Sequence, residues 1–237
     1  MSRAPLVLLH GLNNTPAIWD AMVREMPAEL PTLAPALPPI PDVDAIAQAL
    51  LKDLPAQFWL AGFSFGGYVA MALLGQAPER VLGLALIGTT PQADTPAQSL
   101  ARRAAVLALA TGGAATEQEY VERTLAQGNA AFHVEHRNDE RLQRQRREMV
   151  KAYGAHRFVA HALACLARPD RSGLLRTPLN LLWIAGSDDP IYPPSAMSAM
   201  HDRAATGTFQ VLGPAGHLIP LEQPEALARL LAVWMLG

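Results

Sequence analysis

Hydrophobic positions along the chain fall into two patterns, continuous apolar runs and helical spacings. The continuous runs predict strands that are buried on both faces, because a strand covered by helices on each side has no solvent face. We expect four such strands, at Leu6–Leu9, Phe58–Ala61, Val81–Ile87 and Leu179–Ala185, and two more at Thr32–Ala36, a weak short strand, and Thr208–Leu212, so six in all.

Between these runs, apolar residues recur at spacings of three and four, which predicts helices. Thr15 can cap a helix from Pro16 to Met26, and Asp42 can cap one that runs to about Leu54. Further helices are expected at Tyr68–Gln76, Pro194–Arg203 and Pro224–Leu236. The alternation of strands and helices predicts an α/β fold, with a mostly parallel sheet of about six strands flanked by helices.

A long stretch between the fourth and fifth predicted strands contains only helical and loop-like segments. We therefore divide the chain into a core of residues 1–90 and 177–237 and a helical insertion of residues 91–176. Ligands bind at the carboxyl edge of parallel sheets, and an insertion of this size is expected to cover that edge as a cap.

Composition narrows the function classes. The chain has 237 residues, of which 50% are hydrophobic and 17% are charged, so one ordinary folded domain is expected and a disordered chain is excluded. The single cysteine, Cys165, permits no intrachain disulfide and is interpreted as a small core residue. The net charge of −2 argues against a general nucleic-acid binder. The apolar runs are too short for a membrane span or a signal peptide, so we expect a cytoplasmic protein.

The sequence Gly62–Phe63–Ser64–Phe65–Gly66–Gly67 lies between a predicted strand and a predicted helix. It matches the G-x-S-x-G pattern of a nucleophile turn in its expected context. Ser64 must sit on a strained turn for its hydroxyl to project from the sheet edge, and neighbours without side chains allow that strain. The helix that begins at Phe65 directs free N–H groups at the same place.

Four segments, taken in order, make the chain similar to the α/β-hydrolase family. They are LLHG at 8–11, GFSFGG at 62–67, GSDDP at 186–190 and GHLIPLEQPE at 216–225. The resemblance covers most of the chain outside the insertion. It implies an α/β-hydrolase fold with a helical cap, and an activity like that of the serine carboxylesterases in the family, with no cofactor.

The resemblance also implies the other site residues. His217 follows the last strand and occupies the family's catalytic histidine position, whereas His10 is structural in the family. The acid is expected in the loop after the fifth strand, where the family pattern favours Asp189 and leaves Asp188 as the alternative. The oxyanion-hole donors are then the backbone N–H groups of Phe65 and Leu12.

Two departures from the family pattern stand out. The chain reaches its H-G strand at residue 6, so we expect about six strands rather than the usual eight. The loop after the second strand reads Ala36–Leu37–Pro38–Pro39–Ile40–Pro41, without the family's glycines and acid, so its usual polar contacts must come from elsewhere.

The sequence thus predicts a serine hydrolase that cleaves a carboxylic ester through Ser64, His217 and Asp189, by way of an acyl-enzyme. The same fold and residues also serve carbon–carbon bond hydrolases and cofactor-free haloperoxidases. A non-catalytic binding protein is a further alternative, although no member of the triad is missing. Dehalogenases of this fold are excluded, because they need a carboxylate at the position of Ser64.

Charge is unevenly distributed along the chain. Between residues 101 and 176, twelve arginines and Lys151 stand against eight acidic residues. The densest part contains Arg141, Arg144, Arg146 and Arg147. One interpretation is a solvated helix face, and the other is a docking surface for an acidic carrier protein or an anionic substrate. His133 and His136 lie three residues apart, too few ligands for a metal site, so no metal is expected.

Overall fold

Six parallel strands form the sheet in the computed structural model, which describes residues 3–110, 116–176, 178–204 and 206–237. The strands are β1 Leu6–Leu9, β2 Thr32–Leu33, β3 Phe58–Phe63, β4 Val81–Ile87, β5 Leu181–Gly186 and β6 Thr208–Leu212. Their order is β2-β1-β3-β4-β5-β6, and every neighbouring pair is parallel. The predicted fold class is therefore confirmed.

The strand order reverses at β1. From β1 the chain moves outward to β2 and then returns to place β3 on the other side of β1. Crevices form outside the carboxyl ends of strands at such a reversal. The loop that follows β1 and the turn that follows β3 therefore meet at one edge of the sheet.

Side chains of each strand alternate between two hydrophobic cores, one on each face of the sheet. In β1, Val7 and Leu9 belong to one core, whereas Leu6 and Leu8 belong to the other. This alternation follows from the two-residue repeat of a strand. Because both faces are covered, all four β1 residues are fully buried, as the continuous apolar run predicts.

Helices cover both faces. Those of the core are α1 Asp20–Arg24, α2 Val43–Leu51, α3 Phe65–Gln76, α7 Pro194–His201, α8 Ile219–Glu222 and α9 Pro224–Leu236. The side chain of Asp42 caps α2 by accepting hydrogen bonds from the N–H groups of Asp44 and Ala45, as predicted. The predicted helix from Pro16 is instead a 3₁₀ turn at Pro16–Trp19 followed by α1, and the Thr15 side chain makes no capping bond.

Among the described residues between β4 and β5, three α-helices form the insertion. They are α4 Pro96–Ala110, α5 Thr116–Gly128 and α6 Glu140–Ala167. Helix α6 is broken at Gly154, whose φ of 77° is not helical. The Glu117 carboxylate of α5 accepts a hydrogen bond from the freed N–H of Ala155, which ties the two helices together at the break. Within the described ranges, no helix is both long enough and apolar enough to cross a membrane.

Candidate active site

Ser64 occupies a strained turn between β3 and α3. Its φ of 50° and ψ of −116° are a conformation that residues with side chains rarely adopt. Neighbouring glycines permit the turn, because a Cβ on Gly66 would lie 2.2 Å from the carbonyl oxygen of Leu9. The Thr89 hydroxyl donates a hydrogen bond of 2.8 Å to the Ser64 carbonyl and helps to hold the turn. The turn predicted from the sequence is therefore present, with the Ser64 side chain at the edge of the sheet.

The structure brings Ser64, His217 and Asp189 into one hydrogen-bonded series. His217 Nδ1 lies 2.8 Å from Asp189 Oδ2, and His217 Nε2 lies 3.0 Å from Ser64 Oγ. Because an ionised carboxylate only accepts, Nδ1–H donates to Asp189 and Nε2 is left to accept from the Ser64 hydroxyl. This tautomer is the one that a general base needs.

Asp189 is placed to hold that histidine. It is 2% exposed, and its other oxygen, Oδ1, accepts from the N–H groups of Ile191 at 2.7 Å and Tyr192 at 3.0 Å. Burial alone would raise the pKa of Asp189. Attraction to His217 and the hydrogen bonds from His217, Tyr192 and Ile191 outweigh burial and lower the pKa below its ordinary value. Asp189 is therefore ionised at neutral pH.

Glu222 is a residue of the site that sequence reasoning missed. Its buried Oε1 accepts hydrogen bonds from the N–H groups of Gly216 at 3.0 Å and Leu218 at 3.2 Å, on either side of His217. Its Oε2 accepts from His133 N–H at 2.7 Å and from His136 Nδ1 at 2.9 Å. Glu222 lies inside the GHLIPLEQPE segment, one of the four segments that carry the family resemblance, and that position was the sequence signal that could have identified it. It positions the loop that carries His217 and joins that loop to the insertion.

Ser64 and His217 open into a cavity of about 310 Å³, near the lower end of the range for ligand pockets. Leu12 and Phe65, the predicted oxyanion-hole residues, line the same cavity. Tyr120 of α5 donates a hydrogen bond of 2.8 Å from its hydroxyl to Asn13 Oδ1. The insertion therefore both lines the cavity and holds the loop that contains Leu12.

The proline-rich loop after β2 finds its polar partners in two buried histidines. Leu37 N–H donates to His10 Nε2 at 3.2 Å, and His10 Nδ1–H donates to the Gly11 carbonyl at 3.0 Å. His161 of α6 donates from Nε2 to the Pro38 carbonyl at 2.8 Å and accepts from the Tyr153 hydroxyl at 2.6 Å. His10 is therefore structural, as expected, and His161 supplies contacts that the loop itself lacks.

These two histidines make stability depend on pH. Burial lowers the pKa of His161 to about 4, and that of His10 to about 4 as well. A histidine whose pKa is lower in the folded state opposes folding as the pH falls from about 6.5 toward 4, because the unfolded chain binds the proton more readily. At pH 7.5 this cost is absent.

We expect His161→Gln to be less stable than the wild type at pH 7.5, because the bonds to Tyr153 and Pro38 are disturbed. At pH 5 the difference in free energy of unfolding between the wild type and the variant should be smaller by about 1–2 kcal/mol. Only the wild type must keep this buried imidazole unprotonated, which costs it stability at that pH. Urea unfolding of both proteins at the two pH values measures this difference. A difference that stays constant or widens at pH 5 would contradict the assignment.

The four arginines predicted as one basic cluster are divided by the structure. Arg141, Arg144 and Arg147 are exposed on one side of α6, but Arg146 is only 6% exposed. Helical geometry explains the difference, because Arg146 shares the buried face with Leu142, Met149, Val150 and Tyr153. The grouping of Arg146 with the surface arginines was therefore wrong.

The remaining candidates take structural positions. Asp188 accepts from the Ser187 hydroxyl at 2.6 Å, and its side chain is 59% exposed, unlike Asp189. Burial raises the pKa of Cys165 to about 11, which keeps it a thiol at neutral pH. In the described part of the chain, no group of three or more His, Cys, Asp or Glu side chains is arranged to hold a metal ion.

Comparison with known proteins agrees with this fold. Residues 6–230 match the model of the alpha/beta hydrolase family. A solved esterase from Thermogutta terrifontis, described as malate bound, is 26% identical. It superimposes with a TM-score of 0.88 over 99% of this chain and 90% of its own.

Curated relatives include esterases of one kind. The pimeloyl-[acyl-carrier protein] methyl ester esterase of Aromatoleum aromaticum is 42% identical over 98 residues, which are 38% of this chain and 39% of that protein. Its counterpart from Neisseria meningitidis is 26% identical over 94% of this chain and 74% of its own. The first of these matches thus spans well under half of the relative's length.

A serine turn, a histidine loop and a buried aspartate lie together at the carboxyl edge of a parallel sheet in an α/β fold. The family match covers nearly the whole chain, so the protein belongs to the alpha/beta hydrolase family.

Proposed function

We propose that this protein is a serine hydrolase that cleaves carboxylic esters. The observation that carries the proposal is the series from Ser64 Oγ through His217 to Asp189, with separations of 3.0 and 2.8 Å, at the wall of a cavity. The esterases among its relatives support the same reaction class.

In the proposed reaction, Ser64 Oγ attacks the carbonyl carbon of the ester while His217 Nε2 takes the hydroxyl proton. Asp189 stabilises the imidazolium that forms. The N–H groups of Leu12 and Phe65 stabilise the oxyanion, and the proton on His217 goes to the departing alcohol. Water then attacks the acyl-enzyme with His217 again as base, which releases the acid and restores Ser64.

We further propose that residues 91–176 act as a cap over this site. Helices α4, α5 and α6 all contribute side chains to the cavity wall, among them Leu109, Tyr120 and Phe158. The backbone N–H of His217 donates to the carbonyl of Ala131 at 2.6 Å, so the insertion also contacts the loop of the proposed base. Substrate selection would therefore depend on the insertion.

The substrate proposed is an ester linked to an acidic acyl carrier protein. Two observations support it: relatives are named as esterases of an acyl-carrier-protein ester, and Arg141, Arg144 and Arg147 form an exposed positive face on α6. A carrier of opposite charge would be attracted to such a face and steered toward the site.

A labelled fluorophosphonate, which reacts with activated serines, tests the reaction class directly. We expect the wild type to be labelled and to hydrolyse short p-nitrophenyl esters. An unlabelled wild type without ester turnover would overturn the proposal.

Neutralising the exposed arginines should weaken the use of a carrier-linked ester selectively. For Arg141→Gln/Arg144→Gln/Arg147→Gln, we expect the ratio of kcat/KM for the carrier-linked ester to that for a small neutral ester to fall roughly tenfold at low salt. The difference should shrink toward 1 M salt, where the Debye length is about 3 Å. Steady-state kinetics at both salt concentrations measure the ratio.

A matched control removes three exposed arginines outside the insertion, in Arg3→Gln/Arg24→Gln/Arg203→Gln. This control has the same net charge as the test variant. If both triple variants lower this kcat/KM ratio equally, the loss comes from the change in net charge. The proposal that Arg141, Arg144 and Arg147 form a docking face is then wrong.

A further inference from the structure

The cavity that contains Ser64 and His217 is lined by three arginines of the insertion, Arg102, Arg123 and Arg146. Among the residues that the structure describes, no Asp or Glu lines it. Asp94, which pairs with Arg102 at 2.6 Å, is shared with Arg168, also at 2.6 Å. The surroundings of the cavity therefore carry more positive than negative charge.

Arg146 is the buried member of this set. Its Nη1 and Nη2 donate to the carbonyls of Leu125 at 3.1 Å and Thr124 at 2.6 Å, near the end of α5. No carboxylate in the described ranges lies within 4 Å of it, and none of the residues outside those ranges is acidic. Burial without a carboxylate lowers the pKa of Arg146 to about 10. The carbonyls occupy two of the five guanidinium donors but neutralise no charge.

Arg123 lies on α5, exposed at the same cavity. Its side chain makes no hydrogen bond or ion pair with any described residue, so it is available to a ligand. A buried cation and an available one thus line the cavity into which the Ser64 hydroxyl opens.

We propose that Arg123 and Arg146 form an anion subsite that binds a carboxylate or phosphate group on the ester substrate, remote from the scissile bond. The inference rests on the proposed esterase function and specifies its substrate class. Guanidinium groups bind carboxylate and phosphate through paired hydrogen bonds, which makes them suited to this recognition. A cavity of about 310 Å³ suits a short chain between the ester and the anion.

Arg146 has a structural role, because it binds the carbonyls of Thr124 and Leu125 near the end of α5. That role does not explain why a second arginine, Arg123, lines the same cavity. Nor does it account for the lack of any acidic residue at the cavity wall. An anion brought by the substrate would supply the charge that Arg146 lacks, whereas a neutral substrate would leave this cation buried without a counter-ion. The subsite therefore discriminates by charge.

The test compares methyl esters that differ only at the far end. One series is the monomethyl esters of dicarboxylic acids of four to eight carbons, and the other carries a terminal amide in place of the carboxylate. A third series ends in a phosphate. The measured quantity is the preference, the ratio of kcat/KM for the anionic ester to that for its amide, in the wild type, Arg123→Gln, Arg146→Gln and the control Arg103→Gln.

We expect the wild type to prefer an anionic ester roughly tenfold or more at one chain length, and each cavity variant to lose most of that preference. The relative size of the carboxylate and phosphate preferences identifies the natural anion. Arg103 is exposed on α4 outside the cavity wall, so Arg103→Gln should keep the wild-type preference. If Arg146→Gln does not fold, Arg123→Gln decides alone.

A wild type that hydrolyses anionic and amide esters with equal kcat/KM at every length overturns the subsite, as does a preference that survives in Arg123→Gln. These results leave the esterase function standing. Failure of the function itself has a different signature, in which no ester is hydrolysed, or Ser64→Ala hydrolyses the amide esters as fast as the wild type does.

Discussion

Replacing Ser64 by alanine is expected to lower kcat for ester hydrolysis by roughly 10³-fold or more while the protein stays folded. Alanine lacks the oxygen that would form the acyl-enzyme. Among the described residues, the Ser64 side chain makes one hydrogen bond, to His217 Nε2 at 3.0 Å, so little structure depends on it. Alanine also fits the turn, because it adds nothing beyond the Cβ already present.

The measurement is kcat with p-nitrophenyl esters, together with fluorophosphonate labelling and the thermal unfolding midpoint. Ser195→Ala is a matched control, since Ser195 is exposed on α7 and makes no side-chain hydrogen bond within the described residues. Labelling should vanish, and kcat should fall by roughly 10³-fold or more, only in Ser64→Ala. Substantial turnover by this variant would rule out Ser64 as the nucleophile.

Asp189→Asn should lower kcat by about 10⁴-fold, as the same replacement does in a serine protease. The Asn Oδ1 would be retained by the N–H groups of Ile191 and Tyr192, which now bond to Asp189 Oδ1 at 2.7 and 3.0 Å. The Asn NH₂ would then donate to His217 Nδ1 and force the ring proton onto Nε2. In that tautomer His217 cannot accept the proton of Ser64.

Asp188→Asn provides the comparison within the same loop. Its side chain is 59% exposed, with His133 Nε2 at 3.4 Å and the Ser187 hydroxyl as neighbours. We expect kcat to fall less than about threefold, because surface pairs contribute little. If Asp188→Asn is the more damaging change, the identity of the acid is wrong by one residue.

The sequence predicts the fold well because burial follows from local patterns. Continuous apolar runs such as Val81–Ile87 occur where helices cover both faces of a strand, and the structure has that strand with the same bounds. The bounds of the short elements were predicted less accurately. Strand β2 has two residues rather than five, and the first predicted helix begins as a 3₁₀ turn. Few contacts within such short elements determine where they end.

The position of Arg146 could have been predicted from the sequence and was not. The dense basic run suggested one surface, yet a period of 3.6 residues puts Arg146 on the face of Leu142 and Met149. Because charged side chains are mostly exposed, the Arg146 side chain was expected at the surface. The helical phase was the stronger signal, because it describes which face packs against the protein.

By itself, the sequence determined the sheet, the glycine-flanked turn around Ser64, and the order of Ser64, Asp189 and His217 along the chain. These depend on local sterics and on strand burial, which neighbouring residues encode. Only the tertiary structure showed which carboxylate reaches His217, that Glu222 holds its loop, and that His161 binds the proline-rich loop. The partners in these contacts are between 4 and 123 residues apart, and most are brought together by packing between elements, which no local pattern specifies.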